Sequence, residues 1–212
     1  MKDMPFFTTS YGVASLTLKE IPYSKKAYIR IQQAIDPGKL ICECCEFCRA
    51  VGAEHIFATG DSSLVNYEFH TSVLRMSCRK VMLPLTDVSP QPVTQQTMQQ
   101  WIDIYNARMI DVPNASYMTL SDGKKICDDQ IGYFVIREDV LLGIGVASGN
   151  EVRAVVSVVP GGGRDVLLSL CQVLDTDIVE VEVASENTKA MRLYEGLGFE
   201  KTAEISSWYK IL

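Results

Sequence analysis

The chain has 212 residues, a net charge of −6, 47% hydrophobic and 22% charged residues. That length fits one large or two small globular domains. No apolar run reaches the roughly 20 residues of a bilayer span, and there is no basic stripe for a nucleic-acid backbone. The opening Met1-Lys2-Asp3-Met4-Pro5 lacks the apolar stretch of a signal peptide. The expectation is a cytoplasmic protein with no membrane or nucleic-acid partner.

Along the first segment, Val13 to Glu20 and Ala27 to Gln32 read as strands, with Pro-Tyr-Ser-Lys-Lys between them as a hairpin turn. Asp36-Pro37-Gly38 then opens a helix, Asp36 as N-cap and Pro37 in the first turn. That helix, Leu40 to Val51, carries Cys42, Cys44, Cys45 and Cys48 out of seven cysteines. Four thiolates on one helix cannot close a tetrahedral metal site without outside ligands. Reduced thiols acting as small hydrophobes fit better than a metal or redox centre, and no metal is expected. His55 to Thr59 and Thr71 to Val81 follow as strands.

Residues 84–94, with three prolines, read as a linker. They would part a first domain, 1–83, from a second, 95–212. The second opens with a helix from Thr97 to Met109, its apolar side chains at helical spacing. Strands at Ile131–Ile136, Val140–Ala147 and Val152–Val159 come next, the last apolar enough to be central. Gly161-Gly162-Gly163 interrupts. A helix from Asp165 to Leu174, a strand from Ile178 to Val183, a helix from Thr188 to Leu197 and a strand from Glu204 to Ile211 complete a mixed α/β order. If Glu204 to Ile211 is an edge strand, it could support a homodimer.

The most specific stretch is Val183 to Phe199. Glu186 or Asn187 can cap a helix in which Ala190, Leu193, Tyr194 and Leu197 form one apolar stripe, with Gly198 left-handed at its end. The pattern Asn187-x-x-Ala190-x-x-Leu193-Tyr194-x-x-x-Gly198-Phe199 resembles an ungapped motif of the GCN5-related N-acetyltransferase superfamily. The resemblance covers roughly Met82 to Leu212. It implies an acyl-CoA N-acyltransferase fold, a mixed sheet flanked by helices. It also implies acetyl-CoA as co-substrate, entering a gap between two splayed parallel strands.

On that resemblance the strand through Val156, Val158 and Val159 would pair its backbone with the pantetheine arm. A backbone N–H there would polarise the thioester carbonyl. Gly161, Gly162, Gly163 and Arg164 would hold the pyrophosphate at a helix N-terminus. Asn187 would touch the pantetheine region, and Tyr194 would protonate the leaving thiolate. Asp165 and Leu167 depart from the family pattern: they fall where it has small residues, one repelling and the other crowding a phosphate. Glu151, Glu180 and Glu182 are base candidates by type, although alternating glutamates on a strand more often form a solvated face. Cys171 reads as core.

The expected function is transfer of an acetyl group from acetyl-CoA to a primary amine, small-molecule or peptide, by direct attack in a ternary complex. A non-catalytic acyl-CoA-binding or protein-interaction scaffold is the other reading. The acidic balance favours a cationic acceptor. The first segment, with its hairpin, strand, helix and strand, reads either as a degenerate copy of the same half-fold or as an unrelated α/β cap.

Overall fold

The computed structural model describes residues 5–212. In chain order the elements are β1 (Phe6–Thr9), β2 (Gly12–Thr17), α1 (Ile21–Ser24), β3 (Lys26–Ala34), α2 (Pro37–Ala50), β4 (His55–Thr59), β5 (Glu68–Arg79), β6 (Pro90–Pro92), α3 (Met98–Met109) and α4 (Leu120–Asp128). They continue with β7 (Gly132–Arg137), β8 (Val140–Ser148), β9 (Glu151–Ser157), α5 (Gly163–Val173), β10 (Ile178–Ala184), α6 (Thr188–Gly196) and β11 (Glu200–Lys210).

The chain forms two compact units, one of residues up to Val73 together with Ile205–Leu212, the other Leu74–Glu204. The division therefore falls within β5 and within β11, not at the proline-rich stretch 84–94. That stretch is structured: β6 pairs with β7, and Val88 lies in the core of the second unit. Prolines are tolerated in β6 because it is an edge strand, where one row of N–H groups has no ladder partner to serve.

In the first unit β1, β2 and β3 are antiparallel neighbours and β4 lies parallel to β3. The end of β11 pairs antiparallel with β4 and lies between β4 and β5. The expectation of a free edge at Glu204–Ile211 is thus overturned. The segment expected as a hairpin turn is instead α1, closed by Lys25 in the left-handed region (φ 59°). Proline in its first turn costs that helix no hydrogen bond.

One face of the first unit's sheet is covered by α2. Leu40, Ile41, Cys44, Cys45 and Cys48 pack on Ala14, Leu16, Ile29 and Ile56. Burial pushes the thiols of Cys44, Cys45 and Cys48 up to about 12, 11 and 11. These groups therefore stay protonated and apolar at neutral pH.

In the second unit β6, β7, β8 and β9 form an antiparallel meander, and β10 runs parallel to β9 with β5 beyond it. Helices α5 and α6 cover one face and α3 and α4 the other. The packing under α5 is close because β8 carries glycines there. A Cβ on Gly145 would sit 2.2 Å from Leu170 Cδ1, and one on Gly143 would sit 2.7 Å from Val166 Cγ2. Among the described residues no helix is long and apolar enough to cross a membrane.

Candidate functional site: a cleft between two parallel strands

Strand β9 starts as an ordinary partner of β10, with Glu151 opposite Glu180 and Val152 opposite Val181, and the ladder stops there. The reason lies on the other side of β9. Against β8, Ala147 faces Val152 and Val146 faces Ala154, so Arg153 is an extra residue, a β-bulge. A bulge bends its strand and shifts the alternation of side chains by one. Accordingly Val152 packs on the α5 and α6 side, whereas Ala154 and Val156 pack on the α3 side. Past the bulge β9 leaves β10, and a cleft of about 550 Å³ opens at the carboxyl ends of the two strands.

The register fixes which backbone groups face the gap. The N–H of Val158 donates to Leu142 O of β8 at 2.9 Å. Antiparallel ladders engage every second residue, so with Ser157 opposite Gly143 and Val155 opposite Gly145, Val156 also turns its backbone to β8. The N–H groups of Val155 and Ser157 point to the open side. Val158 has neither polar backbone group to offer, since its carbonyl accepts from Arg108 at 3.1 Å. It does not line the cleft, whereas Val155, Val156, Ser157 and Val159 do. The open N–H groups thus belong to Val155 and Ser157, one residue out of phase with the expected Val156 and Val158. The bulge hides that phase from any reading of simple alternation.

At the far end of β9 the chain turns through Pro160 and Gly161, the latter at φ +80°, and enters α5. Gly162 is the N-cap and supplies no side-chain bond, so the first-turn N–H groups of α5 stay open. Gly161, Gly163 and Arg164 line the cleft. Gly162 lies beneath it: a Cβ there would stand 2.7 Å from Val159 Cγ2. Asp165 lies in the first turn of α5 but, like Leu167, does not line the cleft. Asp165 pairs with Arg137 at 3.3 Å, and Leu167 is fully buried in the core.

Helix α6 forms the opposite wall. Asn187 caps it, its side-chain oxygen accepting from the Ala190 N–H at 3.2 Å, and it lines the cleft. Tyr194 lies against Phe199, ring centroids 5.8 Å apart. Burial, reinforced by Cys171, pushes its phenol up to about 12, so it remains a proton donor at neutral pH. The lining is completed by Arg108, Met109 and Val112 near the end of α3 and by Lys189, Ala190 and Leu193 of α6. It contains three cations, Arg108, Arg164 and Lys189, and no carboxylate, in a chain of net charge −6.

Lys189 stood in plain sight two residues after the cap of α6. Arg108 carried no signal, because 50 residues separate it from its carbonyl partner Val158. The three glutamates expected as base candidates lie outside the lining and each meets an arginine: Glu151 meets Arg153 at 2.9 Å, and Glu180 and Glu182 meet Arg75 at 3.8 and 2.8 Å. Cys171 is buried core, as expected.

No family model matches the chain, and no curated protein is similar to it in sequence. Solved structures are similar in fold. A conserved protein of unknown function from Staphylococcus epidermidis aligns with a TM-score of 0.62 at 12% identity over 99% of this chain and 94% of that one. A GCN5-related N-acetyltransferase-like protein from Streptococcus suis gives 0.56 at 10% identity, covering 99% and 89% of the two chains. A GCN5-related N-acetyltransferase from Anabaena variabilis gives 0.60 at 10% identity over 94% of this chain and 59% of its own. At such identities the likeness speaks for the fold alone: the chain has the mixed sheet flanked by helices of the acyl-CoA N-acyltransferase fold.

Proposed function

We propose that the second unit is an acyl-CoA-dependent N-acyltransferase that moves an acetyl group from acetyl-CoA to an amine. One observation carries this reading. A gap between two parallel strands ends at an uncapped helix N-terminus, and three cations surround it with no carboxylate among them. Such a site suits a ligand with an amide-rich arm and a polyanionic end.

In this reading the pantetheine arm pairs with the open N–H groups of Val155 and Ser157, and the one nearer the bulge polarises the thioester carbonyl. The first-turn N–H groups of α5, with Arg164 and Lys189, take the phosphates. The amine attacks the carbonyl directly. The C–S bond then breaks towards sulfur, and the Tyr194 hydroxyl delivers its proton to the thiolate. The first unit, whose β2–β3–α2–β4 order parallels β8–β9–α5–β10, is proposed as a degenerate copy of the same half-fold.

Calorimetry with acetyl-CoA on the full chain tests the proposal. Micromolar binding that weakens in Arg164→Ala and with added salt is expected. An absence of binding would sink it. Binding without transfer to any amine would favour the acyl-CoA-binding scaffold instead.

A further inference from the structure

The chemistry of the cleft restricts the acceptor. An alkylammonium must lose a proton before its nitrogen can attack, and a base does this only within hydrogen-bond reach. The described residues of the lining include no Asp, Glu, His or Cys. Their one buried ionisable group, Tyr194, holds its proton. The sheet carboxylates outside the lining are engaged by Arg75 and Arg153.

Resting on the proposed transferase reading, we infer that the acceptor is a weakly basic nitrogen, of the arylamine or hydrazide class, that arrives at the cleft uncharged. Its lone pair attacks the thioester carbonyl carbon and forms the C–N bond. The C–S bond breaks with its electron pair on sulfur, which takes the Tyr194 proton. The phenolate so formed takes the extra proton from the new C–N nitrogen, so the products are amide and thiol and Tyr194 is restored. No external base enters this cycle. A lysine-like amine, with a conjugate-acid pKa of about 10.4, offers only roughly one neutral molecule in 2,500 at pH 7. A weak base is almost wholly neutral there.

The test uses the full chain and first establishes acetyl-CoA binding by calorimetry, since failure at that step refutes the transferase reading and this inference with it. Initial rates are then measured from about pH 6 to pH 9 with a substituted aniline, an aryl hydrazide and phenethylamine. At pH 7 the aniline or the hydrazide is expected to show kcat/KM at least tenfold above phenethylamine. The phenethylamine value should climb about tenfold per pH unit, tracking its neutral fraction alone. The inference is overturned if phenethylamine matches the weak bases at pH 7. It is equally overturned if its profile levels off well below its own pKa and that plateau is lost in Glu182→Gln. Acetyl-CoA binding without transfer to any of the three also overturns it.

Discussion

The β3–α2–β4 segment of the first unit and the β9–α5–β10 segment of the second share one order of elements, and each has a bulge in its first strand. In β3 the extra residue is Gln32, since Val13 faces Gln33 and Ala14 faces Ile31. The parallel ladder with β4 has by then run from Lys26 to Arg30. In β9 the extra residue is Arg153, directly after a ladder of only Glu151 and Val152. The helix ends differ as well. Asp36 accepts from the Lys39 N–H at 3.1 Å and fills the N-terminus of α2 with its own carboxylate, which that bond holds below the usual range. Gly162 leaves α5 open. The position of one bulge and the identity of one cap thus separate a closed sheet from a cleft that can receive an anion.

The core beneath the helices differs as well. In the first unit small residues sit on both surfaces, Cys44, Cys45 and Cys48 on the helix and Gly12 and Ala14 on the strand. In the second they sit on the strand, as Gly143 and Gly145 beneath Val166 and Leu170. Close helix–sheet contact needs a missing side chain on one surface or the other.

The largest effect that would break the comparison concerns Tyr194, which stands on α6, whereas the first unit has only a short 3-10 turn, Ser62–Asn66, in the matching place. Tyr194→Phe should lower kcat by about 10²-fold or more, the usual contribution of a general acid, with acetyl-CoA affinity nearly unchanged in calorimetry. The phenol sits at about 12, so its donor role should persist from pH 7 to about pH 10 and fail only as pH approaches 12. An unchanged kcat would leave Tyr194 as packing alone.

Next in size is the strand side of the helix contact. In Gly145→Ala the new methyl would meet Leu170 Cδ1 at 2.2 Å and Ala154 O at 2.5 Å. Overpacking of this kind costs about 1–3 kcal/mol, to be read as a lower midpoint in chemical denaturation. Because Ala154 borders the bulge, acetyl-CoA affinity should fall with it.

Much of this site was legible before the structure. Asn187, Ala190, Tyr194 and Gly198 lie on one short helix whose cap, stripe and left-handed end (φ +86° at Gly198) follow from local rules. The glycine loop was legible for the same reason. What escaped depends on contacts distant in sequence. Asp165 pairs with Arg137, 28 residues earlier, and the bulge opposite Val146 shifts the open N–H groups to Val155 and Ser157. Helix α4 was missed although Thr119 and Asp122 form a capping box that its sequence displays.

The cations of the cleft come next in magnitude. Arg164→Ala and Lys189→Ala should each weaken acetyl-CoA binding by about tenfold, or ~1.4 kcal/mol. The loss should be smaller at high salt, since both side chains are exposed. Removal of Lys39, the cation in the first turn of α2, should leave affinity unchanged. A comparable loss there would place the ligand in the first unit and break the comparison.

The smallest effect sharpens the contrast between the two cores. Burial raises Cys44, Cys45 and Cys48 from about 9 to about 12, 11 and 11 in the folded state. Below about pH 9 these thiols are protonated whether the chain is folded or not, and pH has no leverage through them. Above it the unfolded thiols ionise while the folded ones do not. The folded state then holds more protons, so stability must fall as pH rises. Thermal midpoints measured from about pH 8 to pH 10.5 should therefore decline. Cys44→Ala starts from a lower midpoint because it leaves a small cavity, yet its decline with pH should be shallower, since one ionising thiol is gone. Parallel slopes for the variant and wild type would show that the cysteine-packed helix of the first unit is not where alkaline unfolding takes hold.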